Sequence, residues 1–112
     1  MVVQLNPKYG GPDRVEVIFG DKNLERLESG EGGDCGYSQG VVKAFRKRMQ
    51  AIRTAPDERD FYTAKSLHYE KLKGDREHQH SMRINLKERL ILEYQGEGSG
   101  KIAIVVAIED YH

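Results

Sequence analysis

Disulfide bonding is excluded at once, because the chain holds a single cysteine, Cys35, with no partner for an intrachain bridge. A lone thiol suits a reducing compartment and reads as a bystander in a loop. Long apolar runs are also missing. The longest, Ile102 to Ile108, falls far short of the roughly 20 residues that a membrane-spanning helix needs. The opening Met-Val-Val-Gln-Leu-Asn-Pro-Lys lacks the charged start and apolar stretch of a secretion signal, so a cytoplasmic location with no membrane contact is expected. Net charge is absent too, since eighteen Lys and Arg balance eighteen Asp and Glu. Overall charge therefore says nothing for or against a polyanion partner. No internal repeat is present, and low complexity is confined to two glycine-rich loops.

What is present fits one domain spanning residues 1–112, with 1–14 as an extended lead-in marked by Asn6-Pro7 and Gly10-Gly11-Pro12. Charge is distributed unevenly along it. Residues 1–38 carry four basic and seven acidic side chains, a net of −3, whereas residues 39–54 carry five basic and none acidic, a net of +5. A basic segment in a neutral protein is a candidate phosphate-contacting surface.

Val15, Val17 and Phe19 alternate with Glu16, Ile18 and Gly20, the period of a short strand with one buried face. Asp21 is placed to cap a short helix bearing Leu24 and Leu27 and closed by Ser29-Gly30. Ser38 caps a stronger helix over 39–54, whose Val41, Phe45, Met49 and Ile52 form one apolar stripe. At 100° per residue Lys43, Arg46, Lys47 and Arg53 fall on the other side, facing solvent or a partner. Residues 57–68 carry only a weak helical pattern. A hairpin follows, with Met82 and Ile84, then Leu90, Leu92 and Tyr94, as its core-facing residues. The last strand alternates Ile102, Ile104, Val106 and Ile108 with Ala103, Val105 and Ala107. Its bulky face is expected to pack on the helices, leaving the small-residue face open.

Arg83 and Arg89 have the parity opposite to the hairpin's core residues, so both should project onto that open face. Two converging guanidiniums suit a phosphate or carboxylate; the alternative is cross-strand pairing with Glu88 or Glu93. Lys71 and Lys73 precede the glycine turn that opens the hairpin. His78 and His80, with His68, have spacing that could be read as a zinc site. No cysteine or carboxylate stands at diagnostic spacing, and they read instead as solvated turn residues, with no metal and no cofactor expected. Directly after the apolar strand come Glu109-Asp110-Tyr111-His112, an acid, a phenol and an imidazole fixed to the end of a buried element, which reads as part of a site.

The series Leu72-Lys73-Gly74-Asp75-Arg76, Ser81-Met82-Arg83-Ile84-Asn85, Arg89-Leu90 and the closing Asp110-Tyr111-His112 resembles the HigB-type killer toxins of the RelE superfamily. Phe19 to Glu28 and Met49 to Ala55 are similar to that family's opening helices, so the resemblance covers about residues 15–112. It implies an α+β fold of two N-terminal helices on a curved, mainly antiparallel sheet of about four strands. It also implies the toxin of a type II toxin-antitoxin system, a metal-independent endonuclease that cuts messenger RNA on the ribosome and is held inactive by a cognate antitoxin. By the same resemblance His112, Tyr111, Asp110, Arg89 and Lys73 inherit catalytic roles, with Lys71, Arg83 and His68 as RNA contacts. Lys43, Arg46, Lys47 and Arg53 would then meet ribosomal RNA. The family often places a histidine directly before the Pro-Leu-Lys-Gly stretch, where this chain has Glu70 and Lys71. Either His68 serves in its place or the role is absent.

These residue types fit the chemistry. RNA carries its own nucleophile, the 2′-hydroxyl, so cleavage needs a base, a proton donor for the leaving oxygen and cations for charge building on phosphate. His112 can act as base or acid near neutral pH, Asp110 can orient it, Tyr111 can stack on a base or assist proton transfer, and Arg89 with Lys73 can stabilise the transition state. A second reading keeps the scaffold without the chemistry: a non-catalytic binding protein that inhibits another target, such as a topoisomerase. The terminal imidazole favours the enzyme. Glu88, at a position the family often fills with an aromatic, favours the binder.

Overall fold

The computed structural model describes residues 16–96 and 101–110. The first strand, β1 (Glu16–Phe19), leads directly into helix α1 (Lys22–Ser29). Asp21 starts that helix by accepting a hydrogen bond from the Asn23 N–H at 2.8 Å, and Gly30 ends it in the left-handed conformation at φ 85°. Ser38 caps α2 (Gln39–Thr54) through the Val41 N–H at 3.2 Å. The helix stops at Ala55 because a residue before proline is pushed out of the α region; Ala55 sits at ψ 132°. Residues 57–68, where the sequence pattern is weak, form a third helix, α3 (Arg59–Thr63), and a 3-10 turn over Lys65–Leu67.

Then follow β2 (Glu70–Lys71), a second 3-10 turn (Gly74–Arg76), β3 (Gln79–Arg83), β4 (Glu88–Gln95) and β5 (Ile102–Asp110). The spatial order is β1-β5-β4-β3-β2, with β1 parallel to β5 and every other pair antiparallel. The expected α+β class, helices on a mainly antiparallel sheet, is therefore the observed one. Five strands replace the expected four because the two-residue β2 adds an edge that no alternation pattern could announce. The expected lead-in, residues 1–14, lies outside the described residues.

Leu24 and Leu27 of α1, Val41, Phe45, Met49 and Ile52 of α2, and Met82, Ile84, Leu90 and Leu92 of the hairpin are buried together with Phe61. Each large apolar side chain so placed contributes about 1.5–3 kcal/mol relative to exposure. The expected helical stripe and hairpin parity both hold. The expectation for β5 does not. Ala103 and Val105 are fully buried in the core, whereas Ile102 and Ile104 are half-buried outside it.

Two features of pairing cause the inversion. Val17 and Phe19 face the helices, and their parallel partners are Ala103 and Val105, which must face the same way. A bulge then inserts Val106 between the partners of Ile91 and Leu92, so that Ile108 rather than Ala107 turns to the core. The alternation is real, but its phase changes midway along the strand.

Candidate functional site

Beyond the bulge, one face of the sheet carries Ser81 and Arg83 from β3, Arg89 and Ile91 from β4, and Ala107 and Glu109 from β5, in register. Glu70 of β2 stands opposite Ser81 on the same face. Arg83 and Arg89 are direct cross-strand partners, as their parity requires. The face is not open, however: Ser81, Arg89 and Ile91 are all buried. The chain between β2 and β3 covers them, and a cleft of about 260 Å³ remains. Leu72 and Ile91 give it an apolar part, Arg76 and Arg89 its cations, and Glu70, Glu109 and Asp110 its carboxylates.

Arg76 donates to Gln79 Oε1 at 2.8 Å and to Glu109 Oε2 at 2.9 Å, linking the 3-10 turn to the end of β5. His68 stands against both sheet arginines. Its carbonyl accepts from Arg89 Nη1 at 3.3 Å, and its Nε2 lies 3.1 Å from Arg83 Nη1. A guanidinium can only donate, so Nε2 presents its lone pair to Arg83. Arg83 Nε is buried and has no hydrogen-bond partner among the described residues, so the site holds one donor in excess. Glu93, an alternative partner for the arginines, instead accepts from Gln79 at 2.8 Å.

Asp110 lines the cleft from the end of β5, where it pairs with Glu88 on the parity of the core face. Its charge reaches Tyr37, whose phenol is raised above its ordinary pKa first by burial and then by Asp21, Cys35 and Asp110. Lys71 is exposed and pairs with His80, the parity opposite to that of the arginines. Lys73 is exposed at the start of the 3-10 turn. Tyr111 and His112 lie outside the described residues. Arg76 is an addition to which the sequence assigned no role, and Glu109, named only as part of the terminal tetrad, gains a specific partner in it. The bulge, which the sequence does not reveal, places Glu109 directly opposite Arg89.

On the core side of the same strands lies a half-buried polar group around the buried Tyr69. Tyr69 O–H donates to Glu58 Oε2 at 2.8 Å and also bonds Tyr94 O–H, while Lys101 Nζ donates to Glu58 Oε1 at 2.6 Å. His80 stacks on the Tyr69 ring at 5.1 Å, with its Nε2 3.4 Å from Glu58. His80 is therefore a half-buried strand residue, not a solvated turn residue. Burial lowers its pKa against the pull of Glu58, and burial raises both tyrosines. Burial also pushes Glu58 up, but the hydrogen bonds from Lys101 and Tyr69 prevail and hold it below its usual range. Among the described residues, no group of three or more His, Cys, Asp or Glu is placed to hold a metal ion.

The basic face of α2 divides in two. Arg53 clasps Glu28 through two bonds of 2.7 and 2.8 Å, and Arg46 Nε donates to the Leu27 carbonyl at 3.0 Å, so both fasten α2 to α1. Arg48, not among the expected contacts, donates to the Arg83 carbonyl at 2.6 Å, and burial lowers its pKa. Lys43 and Lys47 remain exposed, beside Arg46, around a shallow concavity with Gln39 and Gln50 at its edges. No described helix is long and apolar enough to cross a membrane.

No protein-family model matches this sequence, and no curated protein matches it. Solved structures do. The YoeB/ParE toxin from Agrobacterium tumefaciens aligns over 88% of this chain and 100% of its own, at 17% identity and a TM-score of 0.54. A chain of the heterotetrameric YoeB-YefM toxin-antitoxin complex from Staphylococcus aureus aligns over 88% of this chain and 98% of its own, at 21% identity and a TM-score of 0.52. At such identities the likeness is one of fold. The chain has the RelE/YoeB-like toxin fold, and its structural neighbours are toxins of the YoeB/ParE type.

Proposed function

We propose that this chain is the toxin of a type II toxin-antitoxin pair and an endoribonuclease acting on messenger RNA in the ribosome. The observation that carries the reading is the convergence of Arg83, Arg89 and His68 on one sheet face beside a cleft. A dianionic phosphorane is the species such a face would favour, because preformed donors act most strongly on charge that builds during reaction. The excess donor on Arg83 supports an anionic ligand. The fold supports a toxin, and the antitoxin bound to the Staphylococcus aureus neighbour supports a protein partner of that kind here.

In the proposed reaction the 2′-hydroxyl oxygen attacks the adjacent phosphorus as its proton leaves to a base. The bond from phosphorus to the 5′-oxygen breaks, and that oxygen takes a proton from an acid. The products are a cyclic phosphate and a 5′-hydroxyl, and the RNA itself supplies the nucleophile without a metal. Arg89 and Arg83 stabilise the charge, with Lys73 assisting. His112 is proposed as the proton-transfer group, Asp110 as its orienting partner and Tyr111 as a base-stacking residue. Lys43 and Lys47 are proposed to meet ribosomal RNA, with Arg46 contributing from the edge of its contact with α1. The HigB subtype rests on the motif series around Lys73-Gly74 and the closing Asp110-Tyr111-His112.

The test is induced expression in a bacterial host followed by mapping of messenger RNA 5′ ends. New ends inside translated codons are expected within minutes of growth arrest. Arrest without such ends would overturn the nuclease reading in favour of a non-catalytic inhibitor of another target, such as a topoisomerase.

A further inference from the structure

His68 is the residue by which the two sheet arginines are joined, and its backbone is unusual. It sits at φ 45°, ψ 47°, a left-handed conformation that side chains other than glycine rarely adopt. Such a conformation persists only where neighbours over-determine it. The preceding Leu67 is buried in the core, and so is the following Tyr69. Between these anchors His68 is exposed on the opposite side, facing Arg83 and Arg89.

The Tyr69 anchor is more than apolar. Its ring meets Phe61 and Tyr62 edge-on at 5.3 and 4.8 Å and stacks on His80, while its hydroxyl is gripped by Glu58 and Tyr94. Glu58 is itself fixed by Lys101. The hydroxyl thus ties the backbone at 68–69 to α3's leading turn, to β4 and to the start of β5.

We infer that Tyr69 is a positioning residue: its hydroxyl, held by Glu58 and Tyr94 behind the sheet, locks His68 in the left-handed conformation that presents its carbonyl to Arg89 and its imidazole to Arg83. The functional half of this rests on reading the arginine face as the reactive site; the conformational half does not. Tyr69 touches no reacting atom. It acts through one peptide unit, converting a buried hydrogen-bond pair on one side of the sheet into guanidinium orientation on the other.

Tyr69→Phe keeps the ring and removes the grip. The experiment compares wild type, Tyr69→Phe, His68→Gly and the double variant, reading the His68 ring nitrogens by ¹⁵N NMR and RNA cleavage on programmed ribosomes. In folded Tyr69→Phe the His68 nitrogen shifts should move toward those of an unrestrained imidazole, and cleavage should fall by about 10²-fold, the scale of a 1 Å misplacement. In the His68→Gly background Tyr69→Phe should cause no further loss, because the route through His68 is already gone. Unchanged His68 shifts in Tyr69→Phe, or a further loss in the double variant, overturns the inference. Should Tyr69→Phe not fold, Tyr94→Phe removes one of the two grips, and a smaller movement of the same resonances is expected; none would count against it. A wild type that does not cut RNA but whose His68 shifts respond to Tyr69→Phe removes the nuclease reading alone.

Discussion

Arg83 and Arg89 face each other directly across β3 and β4, and the gap between their like charges is bridged by one residue, His68. Like charges directly opposite on a sheet are unfavourable, so this pair persists through what it binds. Arg89→Ala should lower RNA cleavage by about 10²–10³-fold, the loss seen when one transition-state donor is removed. Arg83→Ala should lower it less, since Arg83 is the less buried of the two. Single-turnover cleavage on programmed ribosomes checks both, and a fully active Arg89→Ala protein would remove Arg89 from the site.

The basic residues of α2 should separate by function. Arg53→Glu breaks the bidentate clasp on Glu28 and is expected to cost about 1 kcal/mol of stability, read as a lower urea midpoint. Lys43→Glu with Lys47→Glu should leave that midpoint nearly unchanged and weaken co-sedimentation with ribosomes. Undiminished sedimentation of the double variant would reduce the two lysines to an ordinary solvated face.

The phase change in β5 predicts which substitutions its faces tolerate. Ala103→Leu forces volume into a position with no exposed surface and should cost about 1–3 kcal/mol. Were the face of Ile102 and Ile104 the one turned to the core, the same change would fall on an open face and be nearly neutral. Thermal denaturation of this one variant decides between the two arrangements.

Stability should decline on mild acidification through His80. Its folded pKa is lowered by burial, with Glu58 opposing and Lys71 and Lys101 adding to the effect, while the unfolded residue takes a proton near pH 6.5. Below about pH 6.5 the unfolded chain therefore binds more protons than the folded one, and stability falls with pH until the folded pKa is reached. Glu58, also lowered, adds stability above about pH 4.3 that is lost as pH drops further, through its own folded pKa. His80→Phe should flatten urea midpoints measured between pH 7.5 and 5.5. An equal decline in the variant would refute the assignment to His80.

Periodicity sufficed wherever the local pattern and the tertiary environment agreed. The stripe Val41, Phe45, Met49 and Ile52 and the caps Asp21 and Ser38 are local features, legible because one helix or one turn determines them. The arginine face was likewise legible, since strand parity alone puts Arg83 beside Arg89. What was not legible depends on partners distant in sequence. The phase of β5 is imposed by β1 and by a bulge against β4, and neither leaves a mark on residues 102–108 themselves. The surroundings of Tyr69 and the burial of His80, expected as a solvated turn residue, depend on Glu58 and Tyr94, which lie 11 to 25 positions away. The bonds of Arg46 and Arg53 to α1 are not legible either, because helical spacing reveals which way a side chain points but not which acceptor waits there.

The order of the strands also bears on when this protein becomes itself during synthesis. β5 is the last described element to emerge, yet it lies inside the sheet, as the only described partner of β1 and the direct neighbour of β4. Until it arrives β1 lacks the strand it pairs with among the described residues, and Arg89 lacks the strand that brings Glu109 opposite it. Pairing strands so far apart in sequence demands a long loop closure before the sheet is rewarded. A nascent chain interrupted before residue 101 would carry the sheet arginines and His68 but no completed cleft, so the site matures only once β5 has been made.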